Sequence, residues 1–289
     1  MRTGRSRSRS ASGARSQSRA AFAWAIPSKF DQTLFRAGVF CENRASVSGY
    51  VTHEREVEEE REPGDTAAVR RTIGPEAGAE RLEQRVIRFG AGRSRPRSPG
   101  PHKQEILYVA AGSGTLRLDG GEHELVPDTG VFVAGGETWE VENPGPDELV
   151  VVSVVAPQER VPNGCRRVTV RFDDQPELRA DAKRTFRYLV NQEAGCLDVT
   201  QFVGIVQPCR APDHSHSYDE VGYIVEGEGI AHVGGEQARI TAGSCFHLPP
   251  DHVHCIENDG EGVMRIMGVF HPSGDPASRS YDEVETTTT

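Results

Sequence analysis

The chain has 289 residues, a net charge of −10 and an isoelectric point of about 5.5. That length suits one large or two ordinary domains, and the acidic balance argues against a phosphate-backbone binder. Six cysteines without a CxxC pair speak against a zinc ribbon and a disulfide scaffold, and no apolar run approaches the length of a membrane span.

The charge is unevenly spread. Residues 1–30 carry six arginines and Lys29 with no acid, a charge of +7 that leaves −17 on the rest. The Arg/Ser repeats of this head cannot bury a core and are expected to be disordered. Three readings compete for it: a dispensable tail, a transit peptide, or a nucleic-acid-binding arm. A secretory signal fits poorly, because the apolar stretch AAFAWAI sits at the bottom of the usual length range. Residues 31–79 read as an N-terminal extension. Its acidic run, Glu54, Glu56, Glu58, Glu59, Glu60 and Glu62, followed by Pro63-Gly64-Asp65, is expected to be a solvated linker.

From residue 80 onward the chain is strand-like. Short apolar segments such as RVIRF, ILYVAAG, ELVVVSVVA, VTQFVGIV, VGYIVEG and MRIMGVF alternate with Gly, Pro and Asp turn signals. This pattern predicts an all-β sandwich or barrel. AERLEQRV, residues 79–86, is the best helical candidate and equally a strand. Residues 273–289 are rich in Gly, Pro, Ser and Thr, and read as a flexible tail.

The strand region repeats. ILYVAAGSGTLRLDGGE aligns with VGYIVEGEGIAHVGGE at an offset of 115, which also pairs Glu105 with Glu220, Gly112 with Gly227, Gly114 with Gly229, and Asn143 with Asn258. Two related β domains follow, 80–157 and 166–272.

The second repeat carries chemistry. His214 and His216 are two apart, so on a strand they face one side, and Glu220 keeps their parity. His254 follows further on, four residues before Asn258. Three imidazoles and a carboxylate suit one divalent transition metal, with Fe, Mn, Ni, Co, Cu and Zn all left open.

These residues resemble the cupin superfamily. The first cupin motif, HxHxxxExxxxxxG, runs from His214 to Gly227; the second, GxxxxxPxxxxHxxxN, is met by Gly243, Pro249, His254 and Asn258. Asp251 stands where the family has a Gly. The resemblance implies a bicupin, two jelly-roll β-barrels in tandem, with His214, His216, Glu220 and His254 as metal ligands in the second. The first repeat departs from it. The same offset maps the histidines onto Pro99, Pro101 and Trp139, and its second motif reads two residues shorter after Gly130, with Ala134 for the Pro. Only Glu105 survives. That barrel is expected to bind no metal, its Glu needing a hydrogen-bond partner or solvent.

Around the ligands, Gly222 is expected to leave room for a ligand and Ile224 to make the face apolar. Tyr218, His247 and Arg210 are candidate catalytic residues: Tyr218 at the cavity mouth, His247 and Tyr218 as acid/base groups, Arg210 as a carboxylate clamp. Asn258 is expected to position His254. His252 is a rim candidate, His232 a structural residue, and His53, His102, His123 and His271 surface residues.

The resemblance implies a metal-dependent enzyme acting on a small molecule. The first reading is a non-haem Fe(II)-type oxygenase for a small organic acid or phenolic compound. The alternatives are a redox-neutral isomerase, decarboxylase or hydrolase, and a small-ligand-binding cupin without catalysis. Nucleic acid and membrane are not expected partners, a homo-oligomer stays open, and the expected compartment is the cytoplasm, or an organelle if the head is a transit peptide.

Overall fold

The computed structural model describes residues 49–162, 164 and 166–278. The Arg/Ser head, the segment up to residue 48 and residues 279–289 lie outside the described residues.

Turn signals cut the apolar segments into short strands. The first half holds β1 (Tyr50–His53), β2 (Glu60–Arg61), β3 (Ala67–Ile73), β4 (Glu83–Phe89), β5 (Gly92–Arg93), β6 (Lys103–Ala111), β7 (Gly114–Leu118), β8 (Gly121–Leu125), β9 (Thr129–Val133), β10 (Trp139–Asn143) and β11 (Leu149–Pro157). The second holds β12 (Thr169–Arg171), β13 (Leu178–Arg179), β14 (Arg184–Val190), β15 (Thr200–Val206), β16 (Cys209–Arg210), β17 (Asp219–Glu226), β18 (Glu228–Val233), β19 (Glu236–Thr241), β20 (Ser244–Leu248), β21 (His254–Asn258) and β22 (Met264–His271). Among the described residues the only helical pieces are short 3-10 turns. The helical candidate AERLEQRV becomes the start of β4, whose Val86, Ile87 and Phe89 are all buried.

Each half builds a jelly-roll barrel from a seven-stranded and a four-stranded sheet. The first has the orders β12-β9-β6-β11-β4-β3-β2 and β5-β10-β7-β8; the second has β1-β20-β17-β22-β15-β14-β13 and β16-β21-β18-β19. The two patterns correspond strand for strand.

They also exchange edges. β1 pairs antiparallel with β20 of the second barrel, while β12 pairs with β9 of the first. Each barrel is therefore closed by a strand that precedes the other one in the chain. This corrects the reading of residues 31–79 as an extension and linker: the described part, from residue 49, supplies β1, β2 and β3. The acidic run escaped recognition because its arginine partners are distant in sequence. Glu54 is buried and paired to Arg88 at 2.6 Å, and Glu62 pairs with Arg95 at 3.1 Å.

The seven-stranded sheets are buried on both faces. Along β11, Leu149 and Val151 point into the first barrel's interior, while Val150, Val152 and Val154 join a core shared with the second barrel's Leu189, Val203, Val221, Met267 and Val269. Burial on both sides explains why β11 reads as an unbroken apolar run. Two polar contacts across this interface follow the same pseudo-symmetry. Gln84 Nε2 donates to the Gly222 carbonyl, and Gln201 Nε2 to that of Leu107, each at 3.3 Å.

Candidate metal centre

His214 and His216 lie on the segment entering β17, Glu220 is the second residue of β17, and His254 opens β21. An antiparallel bridge holds His214 opposite His254, with N–H···O distances of 3.0 and 2.9 Å in the two directions. The ring centroids of His214 and His216 each lie 4.6 Å from that of His254. Donor atoms of His216, Glu220 and His254 fall within 4.8 Å of one another, and all three residues are buried. His214 is less buried and stands outside that tight group, on the wall of the same cavity.

The orientation of the rings carries the chemistry. Nδ1 of His214 lies 2.9 Å from the Pro212 carbonyl, that of His216 2.8 Å from the Tyr218 carbonyl, and that of His254 2.8 Å from the His252 carbonyl. A carbonyl only accepts, so each Nδ1 carries the proton, and in the neutral ring Nε2 keeps its lone pair. Each histidine is thus fixed in a ligand tautomer by the backbone two residues away. His216 Nε2 sits 2.9 Å from Glu220 Oε2. Burial alone would lower the His216 pKa, but the Glu220 carboxylate outweighs it and holds the pKa above the ordinary value. The pair favours a positive charge, such as a proton or a metal ion, between its atoms. The donor set fits a divalent transition metal.

The cavity over these residues is apolar. Phe186, Phe202, Phe246, Phe270, Leu248 and Ile266 line it, and its volume is about 100 Å³. Two of the rings lie over facing glycines. Gly222 and Gly268 are cross-strand partners; a Cβ on Gly222 would come within 2.0 Å of the Phe246 ring, and one on Gly268 within 2.4 Å of Phe202. Gly222 therefore makes room for Phe246, which corrects the expectation that it leaves space for a ligand. Ile224 is fully buried in the second barrel's core, as its place on that face implies.

The three catalytic candidates separate. Tyr218 lines the cavity and its ring stacks on His216 at 4.1 Å, but its hydroxyl donates to the carbonyls of Asp275 at 3.0 Å and Ser278 at 3.3 Å. It packs the ligand ring and anchors residues 274–278, so this described part of the expected flexible tail is folded and brings Pro276 to the cavity wall. His247 lies away from the cavity. It is buried between the barrels, Nδ1 on the Ala77 carbonyl at 3.1 Å and Nε2 on Asp219 at 2.6 Å. Arg210 is half-exposed and pairs with Asp213 at 3.2 Å, outside the cavity lining. The sequence reading missed the aromatic wall and Pro276, whose only signal was apolar character shared with the core.

The hydrogen bonds of Asn258 go elsewhere than to His254. Its Nδ2 donates to the carbonyls of Val206 and Gly262, both at 2.8 Å, and its Oδ1 accepts from Gly260 N at 3.1 Å. Asn143 makes the same pattern with Phe89, Asp147 and Gly145 in the first barrel. Both asparagines lock the turn after their strand. Asp251, in the place of the family's glycine, has a φ of 61°, the left-handed conformation that makes glycine the usual choice; its N–H donates to the His216 carbonyl at 2.7 Å. His252 lies outside the cavity lining, and His271, expected at the surface, is buried with its pKa lowered mainly by desolvation.

The first barrel has replaced this centre. Trp139 and Glu105 occupy the places of His254 and Glu220. The indole N–H donates to Glu105 Oε2 at 2.8 Å and Ser153 donates to the other oxygen, so the buried carboxyl is satisfied. Burial still pushes its pKa up against these two donors. Arg97, not Pro99, stands opposite Trp139 as His214 does opposite His254. The second motif is not shortened either: Asp128 takes the positive φ of Gly243, and β9 matches β20 in length.

Comparison with known proteins agrees with this architecture. Residues 85–155 and 203–270 each match the family model of the cupin domain. The chain belongs to the cupin superfamily and is a bicupin, with one barrel per repeat. Among curated relatives, it is 33% identical over 54 residues to a gentisate 1,2-dioxygenase of Haloferax sp., and 32% identical over 60 residues to an uncharacterised protein of Methanocaldococcus jannaschii. Those matches span 15% and 48% of the relatives' lengths and 19% and 20% of this chain. Among solved structures, the protein YlbA of E. coli superposes with a TM-score of 0.66 at 14% identity, over 81% of this chain and 96% of that one. The oxalate decarboxylase of Bacillus subtilis gives 0.65 at 13% identity, over 81% and 79%. Likeness at this identity shows the fold. Among the described residues no helix is long and apolar enough to cross a membrane.

Proposed function

We propose that the protein is a metal-dependent cupin enzyme of the oxygenase type, with His216, Glu220 and His254 holding the metal and His214 completing the set. The observation that carries this reading is the backbone-fixed tautomer of all three rings beside a carboxylate. Such a site is preorganised to ligate, and a bound divalent metal would supply Lewis-acid or redox chemistry there.

The chain's own residues shape what enters. Four phenyl rings and the aliphatic side chains favour a small, flat, largely apolar substrate, of which a phenolic compound is the natural class. Two polar side chains of the cavity wall are already engaged: the Tyr218 hydroxyl by the tail, and Arg184 Nε by Asp181 at 2.6 Å. Among the described residues, the acid/base candidates Tyr218 and His247 are engaged elsewhere, so redox-neutral proton-transfer chemistry has less support than oxygenation. The local likeness to a gentisate dioxygenase points the same way.

The test is oxygen uptake by protein loaded with Fe(II), Mn(II) or Zn(II) against a panel of phenols and hydroxybenzoates. Uptake with a redox metal, absent with zinc and in His216→Ala/His254→Ala, supports the reading. Turnover without oxygen, or equal activity with zinc, would overturn it.

A further inference from the structure

The first barrel lost the ligand set but kept a cavity. It measures about 740 Å³, well within the range of small-molecule pockets, and Glu105 lies on its wall at the place of Glu220. The walls of the two cavities differ in kind. In the second barrel the cross-strand partners Tyr188 and Phe202 are aromatic, and Phe202 faces the metal-side cavity. In the first barrel the equivalent partners on β3 and β4 are Arg71 and Arg85, and both line the cavity. Arg97, opposite Trp139, adds a third guanidinium on the same wall.

Like charges directly opposite on a sheet are unfavourable unless something neutralises them. Arg97 is committed to Asp65 at 2.6 Å, and Arg95 to Glu62 at 3.1 Å. Arg85 Nε donates to Glu83 at 2.7 Å. Arg71 approaches only Glu76, at 3.6 Å, too long for a hydrogen bond, and its side chain is 49% exposed. Glu60 also lies on the lining, on the exposed strand β2. On the floor, both oxygens of Glu105 are engaged by the donors Trp139 and Ser153, and burial raises its pKa against them. Of the opposed pair, Arg85 thus has a hydrogen-bonded carboxylate, while Arg71, half exposed on the cavity wall, has its carboxylate partner beyond hydrogen-bond distance. A guanidinium in that position can take a carboxylate through two parallel hydrogen bonds.

We propose that the first barrel is a second, metal-independent binding site for a small organic carboxylate, seated on the Arg71–Arg85 pair. The site is separate from the metal centre and stands whatever reaction that centre performs.

Calorimetric titration of the full chain with malonate and with succinate tests it. Wild type is compared with Arg71→Gln/Arg85→Gln and with His216→Ala/His254→Ala, which removes the metal ligands of the other barrel. The expected result is saturable binding of at least one dicarboxylate, kept in the histidine variant and weakened about tenfold or more in the arginine variant. Arg71→Gln alone, which breaks no hydrogen-bonded ion pair, should weaken binding in the same direction and reads the site even if the double variant fails to fold. Its ligand-free thermal midpoint should be unchanged or higher, since a like-charge contact is relieved. No binding of either acid to wild type at about 10 mM, binding indifferent to Arg71, or binding lost with the histidines would each overturn the proposal.

Discussion

Replacing Trp139 by Phe isolates what keeps Glu105, the counterpart of Glu220, stable in the first barrel. The substitution removes the indole N–H that donates to Glu105 Oε2 at 2.8 Å and retains most of the apolar packing of a fully buried ring. Glu105 is itself buried, and desolvation holds its folded pKa above the ordinary value, against the donors Ser153 and Trp139. A carboxyl with a raised folded pKa contributes fully below its unfolded pKa, near 4.5, and loses that contribution as pH rises through the folded value. Losing the indole donor moves the folded pKa further up and widens the window of loss. At about pH 4 both wild type and variant hold a neutral carboxyl, and the cost is one neutral hydrogen bond plus the smaller ring, the bond being worth about 0.5–1.5 kcal/mol. At a pH high enough to ionise the wild-type carboxyl the cost should exceed this by roughly 1–2 kcal/mol, since a hydrogen bond to a charged group is worth about 1.5–3 kcal/mol. Urea unfolding of both proteins at the two pH values measures the difference. An equal loss at both would show that Trp139 acts by packing alone and would refute the capping argument.

Gly222→Ala should place a Cβ within 2.0 Å of the Phe246 ring. It is expected to cost about 1–3 kcal/mol in a chemical melt and to alter the cavity without removing a ligand, so metal content should persist. Asn258→Ala should cost about 1–3 kcal/mol by leaving the Val206 and Gly262 carbonyls and the Gly260 N–H without their partner; metal titration should be unaltered, because His252, not Asn258, orients His254. The metal must displace the proton that Glu220 favours on His216, so metal affinity should fall as pH drops through the raised His216 pKa, and binding there should release protons detectable in buffers of different ionisation enthalpy.

Much of the centre was legible because its chemistry is local. His214, His216 and Glu220 lie within seven residues, and a two-residue spacing on a strand suffices to converge the first two. His254 was legible through the spacing of the second motif. Edge exchange was not, because pairing of β1 with β20 joins residues far apart in sequence, and nothing in YVTH distinguishes an adopted edge from a linker strand. Gly222 misled because the sequence does not show which ring crosses it. Constant-offset arithmetic failed at Arg97: the corresponding strands β4 and β15 start 117 residues apart, β9 and β20 only 115, so the intervening loop absorbs the difference. The cavity of the first barrel was invisible for a related reason. Arg71 and Arg85 become a pair only through sheet register.

Metal analysis of the full chain and three variants tests the central claim most directly. The wild type should hold about one transition-metal ion per chain, with nearly none in His216→Ala/His254→Ala; Glu105→Gln and Trp139→Phe should keep the full complement, because Trp139 and Arg97 stand in their barrel where the second has His254 and His214. Two tightly held ions in the wild type, or a full complement in the double histidine variant, would place the metal elsewhere and contradict the account.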